Sequence, residues 1–181
     1  MKTIGLCAIV KDESAAILRC LRSAGPLIDY ALIVDVGSTD GTQGSIRQYL
    51  SQHNLPGEVV EESRGDFAHN RTFALAKMRE KENIDYALVV YADETVGFSN
   101  NFEAALAFKA SLDKDLYNVE IWRGSARSLR PAILSNRLDF TYQGISDEPQ
   151  TATQAMSAPG LATGFHIEAG TKSRAGALLA V

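Results

Sequence analysis

The chain has 181 residues, 45% of them hydrophobic and 22% charged, with 22 acidic residues against 18 basic and a formal net charge of −4. That length suits a single domain with a substantial core, and the composition is that of an ordinary globular protein. The acidic balance argues against nucleic acid or an anionic membrane surface as the main partner, and no apolar run reaches the length of a membrane span.

The N-terminal apolar stretch "TIGLCAIV" (3–10) is cut off by Lys11, Asp12 and Glu13, so it reads as a strand buried on both faces and not as a signal peptide. "ESAAILRCLRSAG" (13–25) follows as a helix with Ile17, Leu18 and Leu21 on one face, stopped at Gly25-Pro26. "YALIVDV" (30–36) is a second buried strand, and "DGTQGSIRQYLSQH" (40–53) a second helix, weakened by Gly44. Then come a short strand "EVVEES" (58–63), a helix over 66–81, a strand "DYALVVYAD" (85–93) and a helix over 101–112. Segments 117–122, 127–134 and 138–144 read as strands that need not be parallel to the first four. The tail from Thr151 to Val181 is rich in Ala, Gly, Ser and Thr with poor periodicity, so loops and one short element are expected there. Strands alternating with helices predict an α/β fold with a mostly parallel sheet and right-handed crossovers, with a small antiparallel part near the C-terminal end. Residues 1–150 form the domain proper, and 151–181 an irregular extension of it. Cys7 and Cys20 show neither metal-ligand spacing nor a disulfide framework. Buried free thiols are expected, which fits a cytoplasmic location.

In an open parallel sheet, ligands bind in the crevice outside the carboxyl ends of the strands. Three segments deliver polar residues there: "KDES" after the first strand, "DVGSTDGT" after the second and "YADET" after the fourth. Asp35 ends a buried strand, where a carboxylate is costly unless paired or used. Gly37 lets the backbone approach a ligand closely. Asp40, with Gln43 three residues on, has the form of a helix cap with a capping-box partner, which is a complete role for Asp40 if it is not a ligand. No G-x-G-x-x-G follows the first strand and no G-x-x-x-x-G-K-[ST] is present, which removes a dinucleotide site and a P-loop.

Taken in order and spacing, "CAIVKDESAAILRCLRSAGPLIDYALIVDVGSTDGT", "RGDFAHNRTFALAK" and "VVYADE" resemble family 2 glycosyltransferases of the GT-A fold, in particular bacterial sugar transferases of the lipopolysaccharide-core type. The resemblance covers roughly residues 3 to 148. It implies transfer of a sugar from a nucleotide-diphosphate donor, a UDP-sugar above all, to a hydroxyl of a glycan or other acceptor, with inversion and with Mn2+ or Mg2+. It places Val10, Lys11 and Glu13 at the nucleobase, Asp35 at the uridine, and Asp40, Asp66 and Arg71 in matching stretches around the nucleotide. Arg71 would contact the diphosphate, brace the site, or stand as an ordinary helix arginine. The family's D-x-D metal motif reads "YAD" here, leaving Asp93 as the carboxylate ligand and Tyr91 in place of the first aspartate. One carboxylate with diphosphate oxygens can serve these ions. "TYQGISDEP" matches a region where the family carries His-Glu; Glu148 is the implied general base and Asp147 the runner-up. "GFHIEAG" makes His166 a further metal-ligand candidate. Tyr91, Thr72 (for the usual asparagine after Arg71) and Asp147 (for the histidine) depart from the family pattern. The alternative implied by these departures is a catalytically degenerate module of the same fold that binds a nucleotide sugar or glycan without transfer.

Overall fold

Local sequence builds a sheet covered on both faces in the computed structural model, which describes residues 1–62, 65–99, 102–144, 149–151 and 157–170. The elements run β1 (Ile4–Val10), α1 (Ser14–Ala24), β2 (Tyr30–Asp35), α2 (Thr42–Gln52), β3 (Gly57–Glu61), α3 (Phe67–Arg79), β4 (Tyr86–Val89) and β5 (Thr95–Phe98). They continue with α4 (Phe102–Ala110), β6 (Leu116–Arg123), β7 (Ala126–Ser135), β8 (Phe140–Thr141), β9 (Gln150–Thr151), β10 (Gly160–Leu161) and β11 (Phe165–Glu168). The main sheet has the order β3-β2-β1-β4-β7-β6-β11-β5, with β10 beside β6. β1 lies parallel to both β2 and β4, and β2 parallel to β3. The β6–β7 hairpin is antiparallel and joins β4 through β7.

Strand alternation divides the core in two. β1 sends Ile4, Leu6, Ala8 and Val10 to one side, where Ile17, Leu21 and Ile46 of α1 and α2 cover them. Cys7 faces the other side with Leu32, Val34 and Val89, beneath Ala74, Leu75 and Met78 of α3. Leu6, Ile17, Leu21, Leu32 and Met78 are wholly sealed, each worth about 1.5–3 kcal/mol of burial. Cys7 and Cys20 are buried free thiols, as expected. Burial pushes the Cys7 thiol up to about 12 and raises Cys20 strongly as well.

The structure corrects the sequence reading in four places. α2 starts at Thr42, and its cap is Gly41 in the left-handed region (φ 85°), with no side-chain cap; the Asp40–Gln43 capping box does not form. The strand expected over 85–93 ends at Val89, because residues 91–94 close a turn in which Glu94 N–H donates to the Tyr91 carbonyl at 3.1 Å. Thr95–Phe98 then forms β5, which the sequence reading leaves out. The strand expected over 138–144 shrinks to Phe140–Thr141. In the tail, β11 enters the main sheet between β6 and β5. Among the described residues no helix is long and apolar enough to cross a membrane.

Candidate functional site

Parallel pairing puts the ends of β1 and β2 side by side, with Val10 opposite Asp35. Val10 is sealed and its carbonyl accepts from Val36 N–H at 3.0 Å, so it fixes the crevice floor through backbone. The Asp35 side chain is 1% exposed. Its Oδ1 accepts from the amides of Gly37 and Ser38 at 2.9 and 2.8 Å, a tight turn made possible by Gly37 at φ 95°. Its Oδ2 has no hydrogen-bond partner. Burial raises the Asp35 pKa, but the Ser38 hydroxyl, the Ser38 and Gly37 amides and the Gln43 side chain outweigh it, and the carboxyl titrates below its ordinary value. Neither of those side chains satisfies Oδ2. A charged oxygen is thus held in a sealed place with one acceptor unspent, an arrangement that native interiors rarely tolerate without a partner.

Two loops are laced together beside it. Asp12, at a positive φ of 52°, donates its amide to Ser38 Oγ at 2.9 Å and accepts from Thr39 N–H at 2.7 Å. Glu13 N–H donates to Thr42 Oγ1 at 3.1 Å, and the Thr42 hydroxyl in turn donates to Asp40. Asp40 also accepts from Thr42 N–H at 2.9 Å. The Thr42 hydroxyl is the leading cause holding the Asp40 carboxyl below its usual value. Asp40 therefore fixes the loop through Thr42 and is exposed. Lys11 lies half-buried between β1 and this lacing. Asp66 is the α3 cap, accepting from His69 N–H at 2.7 Å.

Arg71, on the second turn of α3, is 7% exposed. Three rings surround its guanidinium: Tyr91 at 4.4 Å, Phe67 at 4.8 Å and Tyr142 at 5.4 Å. Thr72 holds one of them in place, accepting from Tyr142 N–H at 2.9 Å. Arg71 Nε is sealed without a hydrogen-bond partner. Tyr91 sits just past the end of β4, and a second guanidinium, Arg130, approaches its ring at 4.9 Å. Arg130 is neutralised by Glu94 through two 2.7 Å contacts.

Asp93 occupies the same turn and is half-buried, with the Gly170 backbone packed directly against its carboxylate. Among the described residues no group of three His, Cys, Asp or Glu side chains gathers as a metal site. One carboxylate at this turn supplies a single hard-oxygen group, so an ion held there would need further oxygen ligands from a bound molecule.

His166 does not join Asp93. On β11 it stands opposite Gly97, stacks on Trp122 with centroids 3.5 Å apart, and is 7% exposed. Its Nε2 has no hydrogen-bond partner, and the nearest carboxylate, Glu168, is 3.5 Å away. His166 precedes Gly170 by four positions, about 13 Å of extended chain. Asp147 and Glu148 lie outside the described residues. The structure thus gathers Val10, Lys11, Glu13, Asp35, Asp40, Arg71 and Asp93 along one sheet edge. Asp12, Phe67, Glu94, Arg130 and Tyr142 belong to the same edge and escape sequence reasoning. Of these, Asp12 and Glu94 carry a signal, as acidic residues immediately after strands. A mixed-charge cleft of about 490 Å³ lined by Lys2, Asp85, Lys114 and Arg137 opens at the opposite, amino edge and belongs to none of this.

No protein-family model matches the sequence, and no curated protein matches it. Solved structures do match. Staphylococcus aureus TarS in complex with UDP superimposes with a TM-score of 0.54 at 20% identity, over 71% of this chain and 38% of that one. TarS in complex with UDP-GlcNAc gives 0.54 at 19% identity, over 71% and 36%. The mannosyltransferase PcManGT from Pyrobaculum calidifontis, in complex with GDP-Man and Mn2+, gives 0.50 at 22% identity, over 66% and 35%. The chain therefore spans well under half the length of these proteins. They are glycosyltransferases of the GT-A type, and the mixed, mostly parallel α/β sheet of this chain has their fold.

Proposed function

We propose that this chain is the donor-binding part of a glycosyltransferase that moves a sugar from a nucleoside-diphosphate carrier, a UDP-sugar above all, to an acceptor hydroxyl with inversion. The observation that carries the reading is Asp35: a sealed carboxylate, held charged by two amides, whose Oδ2 lacks a partner at the edge where open α/β sheets bind ligands. A ribose hydroxyl or a base N–H is the donor that such an oxygen lacks. Val10, Lys11 and Glu13 flank the base, and Asp40 holds the loop. Mn2+ or Mg2+ would be held by Asp93 and would neutralise charge on the departing diphosphate. His166, stacked on Trp122, serves the sheet. The base that takes the acceptor proton is Glu148, with Asp147 as the second candidate. A glycan acceptor of the lipopolysaccharide-core type and a cytoplasmic location belong to the same proposal, as does the assignment of donor binding to residues 1–150.

One observation favours a second reading. Tyr91 puts a ring where the family carries a metal-motif aspartate, which fits a binding module of the same fold that no longer transfers. A thermal-shift panel of UDP, GDP, ADP and NAD, with and without Mn2+, tests the donor assignment. UDP is expected to stabilise most, and a ligand at a hundred times its dissociation constant adds about 2.7 kcal/mol. Equal responses to all four nucleotides would remove the assignment. Release of sugar from a UDP-sugar to water, measured on the same protein, separates transferase from module.

A further inference from the structure

We infer that Asp12 is the positioning residue of the nucleoside subsite: it fixes the turn that grips Asp35 and so sets where Asp35 Oδ2 is presented. This rests on the donor-binding reading above and adds to it a residue that acts without touching the donor. Among the described residues, two with side chains have a left-handed backbone: Asn54, in the turn after α2, and Asp12, at φ 52°. That region is disfavoured for residues with a Cβ, and least so for Asn and Asp. It persists where the surroundings impose it, and residues held this way gather at functional sites. Asp12 is exposed, so packing does not impose the conformation. Hydrogen bonds do.

The amide and the side chain of Asp12 both reach the turn after β2. The amide donates to Ser38 Oγ at 2.9 Å. Asp12 Oδ1 accepts from the Thr39 amide at 2.7 Å and from the Thr39 hydroxyl at 3.4 Å. Ser38 is also one of the two residues whose amides grip Asp35 Oδ1, at 2.8 Å. It is therefore held from both sides, at its hydroxyl by Asp12 and at its amide by Asp35. Oδ1 is pinned by the Gly37 and Ser38 amides, so Oδ2 moves when the turn moves. The β1–β2 register ends at Val10 opposite Asp35 and does not extend to Ser38 or Thr39. Asp12 makes that connection instead. Exposed hydrogen bonds of this kind add little to stability, but a turn ordered before the ligand arrives spares binding the cost of ordering it.

Calorimetric titration of the whole chain with uridine and with UDP, in Mn2+, tests this, with urea unfolding of each variant alongside. Asp12→Gly keeps the left-handed backbone and removes the Thr39 contacts. It is expected to weaken uridine and UDP by the same factor, about 5- to 30-fold, with little change in the urea midpoint. Asp12→Asn keeps the backbone and an acceptor for Thr39, and is expected to stay within about threefold of the parent. In an Asp35→Asn background, Asp12→Gly is expected to cost less than about twofold more, because its effect passes through Asp35. If Asp12→Gly does not fold, Ser38→Ala serves: it removes the acceptor of the Asp12 amide, keeps the amide that grips Asp35, and is expected to show the same loss. An unchanged UDP affinity in the folded variant overturns the inference alone. So does a loss in Asp12→Asn as large as in Asp12→Gly, which would put the charge itself on the ligand. A loss confined to UDP, or one that adds in full to that of Asp35→Asn, overturns it as well. No binding of uridine or UDP by the parent overturns the donor reading and this inference with it.

Discussion

Glu94 and Arg130 form a two-pronged ion pair with both contacts at 2.7 Å and side chains 4% and 8% exposed. Glu94 Oε2 also accepts from Tyr91 N–H at 2.9 Å. The pair therefore ties the turn that presents Tyr91 and Asp93 to β7, in the middle of the sheet. Breaking a buried pair by removing one partner costs about 3–5 kcal/mol, because the other charge stays behind uncompensated. Glu94→Gln is expected to lose stability of that order in urea unfolding. A double replacement, Glu94→Leu with Arg130→Met, is expected to recover much of it. A loss of only about 0–1 kcal/mol in Glu94→Gln, as for an exposed pair, would show that the turn does not depend on this anchor.

Asp35→Asn separates a structural role for Asp35 from a ligand role. Asparagine keeps an acceptor for the Gly37 and Ser38 amides but places an NH2 where Oδ2 now waits for a donor. The free protein is expected to unfold within about 1 kcal/mol of the parent. The stabilisation by UDP is expected to fall by most of its value. Full retention of the UDP shift in a folded Asp35→Asn protein would move the nucleotide away from this oxygen.

How far the sequence carries can be seen along this same edge. Asp35 is legible because a lone carboxylate closing an apolar run has few bland explanations. Arg71 is legible only as a position, since nothing local says that Phe67, Tyr91 and Tyr142 converge on it; the rings come from α3, the end of β4 and the loop after β8. The Glu94–Arg130 pair spans 36 residues and two strands, so no window contains it. Asp40 shows the opposite error. Asp followed by Gln fits a capping box, but Thr42 supplies an amide and a hydroxyl one residue sooner, and Gly41 in the left-handed region takes the cap. β11 is missed as a definite strand because four residues between a glycine and an alanine-glycine pair give no period to count.

Acid stability is expected to depend on Asp85, at the amino edge. Burial raises its pKa, but the Thr3 amide and hydroxyl and the Lys2 ammonium outweigh that, and its carboxyl lies below the ordinary value. A carboxyl depressed in the folded state contributes stability that is full above its unfolded pKa of about 3.9 and disappears as pH falls through the lower folded value. Asp85→Asn is therefore expected to be less stable than the parent at neutral pH, with a shallower loss of stability below about pH 4. Superimposable acid-unfolding curves for the two proteins would show that Asp85 contributes nothing through its charge.

Gly170→Ala probes the remaining carboxylate of the site. A Cβ at Gly170 would collide with Asp93 Oδ2 and Cγ and come within 2.7 Å of the Asp93 carbonyl oxygen. The carboxylate must swing away and the turn must shift, an overpacking cost of about 1–3 kcal/mol. Mn2+ is expected to add to the UDP stabilisation of the parent and to add nothing in Asp93→Ala. Gly170→Ala is expected to resemble Asp93→Ala in that respect although it retains the carboxylate, because the ligand atom has been turned from the crevice. A Gly170→Ala protein that keeps the full Mn2+ increment would mean that Asp93 faces its ion from the other side. An Asp93→Ala protein that keeps it would remove Asp93 from the metal altogether.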